Sequence, residues 1–442
     1  MAKTIFITSF HVLISRNILA TPLLELLGQG GVEVVLLVPD GKREFFVRQF
    51  AGPGVRVEGV PTGLVRRDAL LRYFALAGLA TRTLAIKRKT EMGGSGEWAA
   101  TLAGNRGVTR CLVRRASSLL TPRRRFSTLF EQYRPALVFA TDVQNENDVR
   151  LLHEAHDRGT KTVGMVRSWD NLTAKGLIRF IPELLIVNND IIKAEAVRLH
   201  AVPAALIRVV GIPHYDRYPA PAHPREEFSR RLGLDPAKPF LVYAPTGDRY
   251  LAKNRVDREV IRIIAAALPP DFELLVRMPP TDSANLEAVI PPHVIVHRPG
   301  THLSSQPGVF KLSELTRDDD DLLRDTLAYG DLVVAGPSTI VVDAAVFDTP
   351  IILVGFDGDA APPYYESIRR YWDYDHLGPI LSSGGARLAR SAEELRTWLG
   401  RYLGHPSYDR TGRERIRLEQ CARLDGRSSQ RLAEVLLETL RN

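Results

Sequence analysis

Residues 136–187 read ALVFATDVQNENDVRLLHEAHDRGTKTVGMVRSWDNLTAKGLIRFIPELLIV. Three short apolar runs in this stretch, Ala136–Thr141, Thr162–Val166 and Leu184–Val187, are separated by longer segments that contain polar residues. Continuous apolar strands that alternate with helices are typical of a parallel sheet covered on both faces. The stretch therefore predicts an α/β fold.

The same alternation extends in both directions along the chain. Further strands are predicted at Thr4–Thr8, Val32–Val38, Val55–Val60, Ile207–Ile212, Phe240–Ala244, Phe272–Arg277, Val294–His297, Leu332–Ala335 and Ile351–Val354. Helices are predicted at 255–268, 321–329, 338–347, 391–403 and 411–423. The proline-rich stretch from Tyr218 to Pro224 suits neither element and predicts a linker.

A chain of 442 residues is long enough for two domains. We expect one Rossmann-like domain over 1–217, with a basic insertion at 64–126, and a second over 225–423. A C-terminal helix is expected at 424–442.

Composition and the N-terminus narrow the class of protein. Hydrophobic residues make up 45% and charged residues 25%, which is average for a globular protein. Two cysteines, Cys111 and Cys421, are too few for a disulfide scaffold. The N-terminus reads as a strand rather than a secretion signal, and the most apolar stretch, Phe74–Ala80, is far shorter than a membrane span. We therefore expect a folded cytoplasmic protein.

Positive charge is concentrated in the segment 64–126. This segment holds fourteen Lys or Arg and three acidic residues, a net charge of +11, whereas the whole chain carries +8. Such a segment favours an anionic partner, and the inner face of a membrane is one candidate. A solvated helical face is the alternative interpretation. Nucleic acid is not expected, because no recognition motif accompanies the charge.

Ligands of open parallel sheets bind beyond the carboxyl ends of the strands, so the loops there are the first candidates for a site. After the first strand come His11, Arg16 and Asn17. The loop lacks the Gly-x-Gly-x-x-Gly fingerprint of dinucleotide binding. These side chains could contact a substrate or its phosphate, or form a polar helix cap.

A second candidate loop follows the strand Thr162–Val166 and contains Trp169, Asp170 and Asn171. The carboxylate could act as general base on a sugar hydroxyl, and the tryptophan could limit access of water to it. Alternatively, Asp170 or Asn171 caps the next helix.

A third candidate loop follows Leu332–Ala335 and contains Gly336, Ser338, Thr339 and, one turn later, Asp343. Free backbone N–H groups and two hydroxyls at a helix start predict a diphosphate site, with Asp343 available to sugar or ribose hydroxyls. A serine N-cap would explain Ser338 alone.

Thr246, Arg249 and Arg277 follow two other strands of the second half and could reach the same phosphates. The acidic run 318–321 precedes a predicted helix, where acids favour the helix dipole, so we expect no metal site there. No His-x-x-x-His pair, Walker loop or Gly-x-Ser-x-Gly elbow is present.

The order of the motifs resembles the bacterial CDP-glycerol glycerophosphotransferase and capsule-polysaccharide transferase group. The motifs are Trp-Asp-Asn-Leu-Thr (169–173), Gly-Ile-Pro-His-Tyr-Asp (211–216), Tyr-Ala-Pro-Thr (243–246), Gly-Pro-Ser-Thr-Ile-Val-Val-Asp (336–343), Thr-Pro-Ile-Ile (349–352) and Asp-Gly-Arg-Ser-Ser-Gln-Arg (425–431). This resemblance implies the glycosyltransferase-B fold, in which the parallel sheets of two Rossmann-like domains face a central cleft.

Two departures from the group bear on the reaction. The group has Trp-His-Gly-Thr, with a histidine as base, where this chain has Trp169-Asp170-Asn171, and it has His-Pro where this chain has Met278-Pro279. A carboxylate base is common among inverting sugar transferases. The resemblance, with these departures, therefore implies glycosyl transfer, with glycerophosphate transfer as an alternative.

We therefore expect an enzyme that moves a sugar from a nucleotide-diphosphate sugar to an anionic or lipid-linked glycan, without metal or another cofactor. Asp170 is the expected base. The expected donor residues are Gly211, Thr246, Arg249, Arg277, Gly336, Ser338, Thr339 and Asp343, and the expected acceptor residues are His11, Arg16, Asn17, Trp169 and Asn171. A UDP-N-acetylglucosamine 2-epimerase-like enzyme and a non-catalytic nucleotide-sugar-binding subunit are two further possibilities.

Overall fold

The computed structural model describes residues 2–94, 97–218, 220–248, 251, 255–280, 290–291, 294–303, 313–359 and 361–441. The chain divides into two compact units. The first comprises residues 1–216 together with 422–442, and the second comprises 217–421.

The first unit is built on a seven-stranded sheet in which every pair of neighbours is parallel. Its strands are β1 Lys3–Thr8, β2 Val32–Pro39, β3 Val55–Val60, β4 Leu137–Ala140, β5 Lys161–Met165, β6 Leu184–Val187 and β7 Ile207–Val209. Their order in the sheet is β3-β2-β1-β4-β5-β6-β7. The central strands are buried because helices cover the sheet, which explains their continuous apolar sequences.

The helices of the first unit follow the strands as the sequence predicts. They are α1 Val12–Ile14, α2 Leu23–Gln29, α3 Arg43–Phe50, α4 Arg66–Ala77, α5 Arg82–Glu91, α6 Glu97–Ala103, α7 Gly107–Leu120, α8 Ser127–Tyr133, α9 Glu146–Asp157, α10 Asn171–Ala174 and α11 Asp190–His200. A π-helical turn, Ser15–Leu19, follows α1. Helices α4 to α7 form the insertion between β3 and α8.

The second unit contains a six-stranded parallel sheet of order β10-β9-β8-β13-β14-β15. Its strands are β8 Phe240–Ala244, β9 Glu273–Arg277, β10 Ile295–His297, β13 Leu332–Ala335, β14 Ile351–Val354 and β15 Arg387–Ala389, and an antiparallel pair is formed by β11 Thr301–His302 and β12 Ser313–Glu314. Its helices are α12 Arg225–Leu232, α13 Val256–Ala267, α14 Arg317–Tyr329, α15 Ile340–Val346, α16 Gly378–Ser383, α17 Ala392–Gly404 and α18 Arg410–Cys421. The two parallel sheets confirm the predicted α/β fold class.

Several elements of the second unit differ from the sequence prediction. Strand β15 was not predicted, because it is only three residues long and begins with arginine. Helix α14 begins at Arg317 rather than 321, since Thr316 and Asp319 form a capping box that starts the helix earlier. Helix α15 begins at Ile340, so that Ser338 lies in the loop before it and Thr339 is the N-cap residue.

The terminal helix, α19 Ser428–Arg441, packs on the first unit. The carboxylate of Asp216 accepts hydrogen bonds from the backbone N–H groups of Ser428 (2.8 Å) and Ser429 (2.7 Å) and so satisfies the start of the helix. Arg431 donates from Nε to the carbonyl of Val210 at 2.8 Å. Two of the motifs that carry the family resemblance, 211–216 and 425–431, therefore bind each other.

The insertion is joined to the sheet by a buried ion pair. Asp68 on α4 accepts from the guanidinium of Arg150 on α9, with one contact at 3.1 Å, and both side chains are almost fully buried. The same carboxylate accepts from the backbone N–H of Val65 and so caps α4. The side chain of Asp68 therefore both caps the first helix of the insertion and attaches this helix to α9. No helix in the described part of the chain is long and apolar enough to cross a membrane.

We predict that Asp68→Ala destabilises the first unit by about 3–5 kcal/mol, because it leaves the buried Arg150 cation without a counter-charge. Chemical denaturation of the variant beside the unaltered protein measures the loss. Glu419→Ala is the control, since it breaks the exposed Arg415–Glu419 pair of α18, which is worth at most about 1 kcal/mol. Equal effects of the two substitutions would contradict the assignment.

Candidate functional site

The strand order of the first sheet determines which loops meet at its edge. The chain passes from β1 to β2 and β3 and then returns to the other side of β1 with β4. The loops after β1 and β4 therefore diverge, and such a switch point is where open α/β sheets bind ligands. The loop after β5, which carries Trp169 and Asp170, lies beside that of β4.

A buried carboxylate, Asp142, organises this edge. Its Oδ2 accepts from Arg167 Nε and Lys175 Nζ, both at 2.9 Å, and its Oδ1 lies 3.3 Å from Nδ2 of Asn171. Burial alone would raise the pKa of Asp142, but Lys175 and Arg167 hold it well below its usual value. The carboxylate is therefore ionised, and two cations from the β5 loop are fixed to it.

His11 lies at the same edge, in the electrostatic field of these cations. Burial, followed by the charges of Arg167 and Lys175, lowers the pKa of His11 to about 3, and Asp142 opposes this only partly. The neutral ring accepts a hydrogen bond at Nδ1 from the N–H of Leu13 at 3.2 Å, so its proton lies on Nε2. His11 is thus a helix cap and a potential donor rather than a base.

Asp170 occupies the N-cap position of α10, but no side-chain hydrogen bond caps this helix. The capping role considered for Asp170 therefore lacks support. The residue is half-buried, and it interacts electrostatically with Lys175. Trp169 beside it packs against the apolar core of the unit. The loop thus holds a carboxylate next to an aromatic ring and a cation.

The other predicted acceptor residues divide between two positions. Asn171 is fully buried and belongs to the Asp142 network. Arg16 and Asn17 lie on the π-helical turn after α1, where Nε of Arg16 donates to Oδ1 of Asn17 at 2.7 Å. Both of these side chains are half-buried.

Below the edge, a second acid lies in the interior. Thr8, the last residue of β1, donates from its hydroxyl to Oδ1 of Asp148 on α9 at 2.5 Å. Burial raises the pKa of Asp148 well above its usual value. Burial therefore favours the neutral form of Asp148, and its hydrogen bond with Thr8 joins α9 to the end of β1.

The second sheet has its switch point between β8 and β13. Gly336 after β13 faces Thr246 after β8, and a Cβ added at Gly336 would clash with Oγ1 of Thr246. Only glycine lets these two loops approach so closely. Oγ1 of Thr246 is buried and has no hydrogen-bond partner among the described residues.

Ser338 and Thr339 complete this edge. Ser338 is half-buried and Thr339 is exposed. Oγ of Ser338 lies 3.4 Å from the N–H of Ile340, at the limit of a hydrogen bond. Within the described part of the chain, no group accepts the backbone N–H of Ser338 or Thr339. Two N–H groups and two hydroxyls are thus available to a ligand.

The loop after β8 is held by Asp257 of α13. This buried carboxylate accepts from the N–H groups of Thr246 and Gly247, each at 2.9 Å, and from the hydroxyl of Tyr243 at 2.5 Å. Those two N–H groups are therefore already used, so the loop offers a ligand the hydroxyl of Thr246. Arg249 lies outside the described residues.

The remaining predicted donor residues of the second unit have protein partners. Arg277 is buried at the end of β9 and donates to Nδ1 of His297 at 2.8 Å, and burial with the arginine charge lowers the pKa of His297 to about 4. Asp343 is buried on α15 and interacts electrostatically with Cys421 of α18.

Gly211 belongs to the first unit. Its φ of +91° favours glycine, and a Cβ there would lie 2.5 Å from Oγ of Ser428. This residue therefore allows α19 to dock, which is a role within the first unit.

The side chains of the acidic run 318–321 make ion pairs and hydrogen bonds within the second unit. Asp318 pairs with Arg231, Asp319 caps α14, and Asp320 accepts from Arg217 at 2.7 Å. Among the described residues, no group of three or more His, Cys, Asp or Glu side chains could hold a metal ion.

Four residues of these edges, Asp142, Arg167, Lys175 and Asp257, were not assigned to a site from the sequence. Asp142 directly follows the predicted strand Ala136–Thr141, so reading the loop after every strand would have found it. Lys175 and Asp257 are joined to their partners across 33 and 11 residues of chain, and no local pattern marks such pairs.

Solved structures share this fold at low sequence identity. The glycosyltransferase from Rickettsia africae ESF-5 is 10% identical with a TM-score of 0.52, and the alignment covers 100% of this chain and 99% of that one. The glycotransferase of kitacinnamycin is 12% identical, with a TM-score of 0.54 and 99% of each chain covered. UDP-GlcNAc 2-epimerase from Neisseria meningitidis, bound to UDP-GlcNAc, is 9% identical with a TM-score of 0.56, covering 99% of this chain and 100% of that one.

These similarities, together with the two parallel sheets, confirm the glycosyltransferase-B fold class. No curated protein sequence matches the chain significantly. The profile of one family, CDP-glycerol:poly(glycerophosphate) glycerophosphotransferase, matches residues 138–438. The match spans more than half of the chain and includes the loops built around Asp170 and Ser338, and the chain therefore belongs to this family of transferases.

Proposed function

We propose that the protein is a glycosyltransferase that uses a nucleotide-diphosphate sugar, with Asp170 as general base. The observation that carries the proposal is the state of the edge around Asp142. His11 is neutral there and its Nδ1 already accepts a hydrogen bond, so we assign the proton transfer to the half-buried carboxylate of Asp170 beside Lys175.

In this proposal the first unit binds the acceptor. Asp170 takes the proton of an acceptor hydroxyl, whose oxygen then attacks the anomeric carbon of the donor sugar. The bond from that carbon to the phosphate oxygen breaks, and its electron pair leaves with the nucleoside diphosphate. Trp169 limits the access of water to the carboxylate, and Nε2–H of His11 is a hydrogen-bond donor to the acceptor.

The second unit binds the donor diphosphate in this proposal. The N–H groups of Ser338 and Thr339, both hydroxyls, and Oγ1 of Thr246 are the available groups beside Gly336. They would stabilise the negative charge that develops on the leaving diphosphate. Arg277, which is already bonded to His297, would act mainly through its charge.

Glycerophosphate transfer is the second candidate, because the matching family is named for it. The released nucleotide separates the two reactions: transfer of a sugar releases a nucleoside diphosphate, whereas transfer of glycerol phosphate from CDP-glycerol releases CMP. Chromatography of the products from a panel of UDP-, GDP- and ADP-sugars and CDP-glycerol makes the distinction. Release of CMP alone would refute glycosyl transfer, and release of no nucleotide would favour a binding subunit.

An epimerase reaction is less well supported, because the chain lacks the Gly-Thr-Arg-Pro-Glu loop expected of one and belongs to a transferase family. Conversion of UDP-GlcNAc to its 2-epimer in the same panel would support that reaction.

We further propose that the acceptor is an anionic or lipid-linked glycan and that the basic insertion contacts the inner face of an anionic membrane. The net charge of +11 over 64–126 supports this contact.

We predict that Asp170→Asn lowers turnover by about 10²- to 10⁴-fold, since the amide keeps the shape of the side chain but cannot take the proton. Donor affinity should stay unchanged, because Asp170 is not among the proposed phosphate contacts. Steady-state turnover and calorimetric donor binding measure the two quantities. The control is Asp157→Asn, at the C-terminal end of α9 and thus at the opposite edge of the sheet. Near-normal turnover of a folded Asp170→Asn protein would refute the base assignment.

For the donor site, we predict that Ser338→Ala with Thr339→Ala weakens binding of the nucleoside diphosphate by up to about 3 kcal/mol, roughly 150-fold. Hydrogen bonds to charged groups have about this value. Calorimetry with UDP, GDP, CDP and ADP measures the change. Thr397→Ala, which removes an exposed hydroxyl on α17, is the matched control. Unchanged affinity in the double variant would remove this loop from the donor site.

A further inference from the structure

The insertion exposes large apolar side chains to an unusual degree. Sixteen large hydrophobic residues are exposed among those described, and ten of them lie within 64–126. Seven of the ten, spread over three helices of the insertion, are called here the exposed apolar set: Leu70, Phe74, Trp98, Leu102, Val108, Leu112 and Leu119. Apolar side chains concentrated in this way mark an interaction surface.

The exposed apolar set follows helical spacing. On α7, Val108, Leu112 and Leu119 recur at intervals of four and seven residues, and they are 72%, 61% and 78% exposed. On α6, Trp98 and Leu102 are four residues apart and 73% and 58% exposed. Residues at such spacings share one face of a helix.

These helices are exposed on one side although they are well packed on the other. Val113 of α7 is buried in a cluster with Leu79, Leu84 and Leu177. Arg114 of the same helix donates to the carbonyl of Ile178 at 3.2 Å. A helix that is apolar on both its packed and its exposed face is not suited to face water alone.

Cations accompany the exposed apolar residues. Arg115 lies between Leu112 and Leu119 on the exposed face of α7, and Arg66 and Arg67 lie one turn before Leu70 on α4. Such side chains can bury their stems against an apolar layer while the charged groups reach anions at its surface.

We infer that the exposed apolar set inserts into the interfacial layer of an anionic lipid bilayer, with the surrounding arginines on the lipid phosphates. This inference rests on the proposed function and makes its membrane contact specific, because it adds insertion to charge attraction. A bilayer offers both an anionic surface and an apolar layer, as amphipathic interfacial helices require. A second copy of the chain would bring the same arginines against one another.

The test uses the full chain and vesicles of phosphatidylcholine with or without phosphatidylglycerol. We expect Leu112→Asp with Leu119→Asp to weaken binding to the anionic vesicles at least ~10-fold, since burial of even one leucine is worth about that factor. The matched control is Leu418→Asp on α18 of the second unit, where the leucine is 59% exposed. An effect of the double variant no larger than that of this control would overturn the inference.

Vesicle binding at high salt and the fluorescence of Trp98 distinguish insertion into the bilayer from attraction by charge alone. At 1 M salt the screening length falls to ~3 Å, and we expect the unaltered protein to retain binding that the double variant loses. Trp98 emission should shift to the blue on binding and be quenched by lipids brominated on their acyl chains, and Trp98→Phe should remove this response. Absence of quenching, or a dimer in solution that the leucine substitutions dissociate, would refute insertion.

The outcome is independent of the proposed chemistry. Vesicle binding without any nucleotide release would refute the transferase proposal and leave the inferred membrane insertion unaffected. Nucleotide release with a soluble acceptor, but no vesicle binding, would refute only the inferred membrane insertion. Turnover of the double variant on that soluble acceptor should equal that of the unaltered protein, because neither leucine belongs to the proposed site.

Discussion

The edge of the first sheet depends on one buried charge. Asp142 is ionised in the interior, and a buried carboxylate is tolerated only where cations and hydrogen bonds compensate it. Arg167 and Lys175 supply that compensation, and both belong to the loop that also carries Asp170. The loop that carries the proposed base is thus held by the carboxylate that follows the neighbouring strand, β4. Burial first, and then the charges of the same two cations, lower the pKa of His11, so the ion pairs of Asp142 also contribute to the neutral state of this histidine.

The insertion has two faces with different physical tasks. Its inner face holds the segment that follows Asp170: Thr81 donates to the carbonyl of Thr173 at 2.7 Å, and the N–H of Leu177 donates to Ala75 at 2.9 Å. Gly176 lies against the backbone of Ala75 so closely that a side chain would clash. Its outer face presents the exposed apolar set. A helical segment inserted after β3 therefore supports the β5 loop on one side and leaves an apolar surface on the other.

The sequence predicted most strands well because buried parallel strands are continuous apolar runs. Leu184–Val187 and Phe240–Ala244 agree with the structure to the residue, and so does the partly buried edge strand Val55–Val60, in which polar and apolar residues mix. It also predicted which loops form the edges, since that follows from strand direction alone. Pairings such as Lys175 with Asp142 could not be predicted, because they depend on how β4 and β5 align in space. Nor could the sequence tell that Gly211 serves the docking of α19, for that requires knowing where residue 428 lies.

Much of the polar sequence that resembles the family holds the fold together, and this changes which motif residues are chemically available. Asp216 of the 211–216 motif accepts two N–H groups of α19. Asp257, which lies outside the motifs, accepts two from the loop after β8, where the 243–246 motif lies. An acid that accepts two hydrogen bonds from the backbone stabilises the fold and has fewer acceptor sites left for a ligand. Ser338 and Thr339 are different, since their N–H groups find no acceptor within the described residues. This difference in availability, rather than the motifs themselves, is why we propose Ser338 and Thr339 as donor-binding residues.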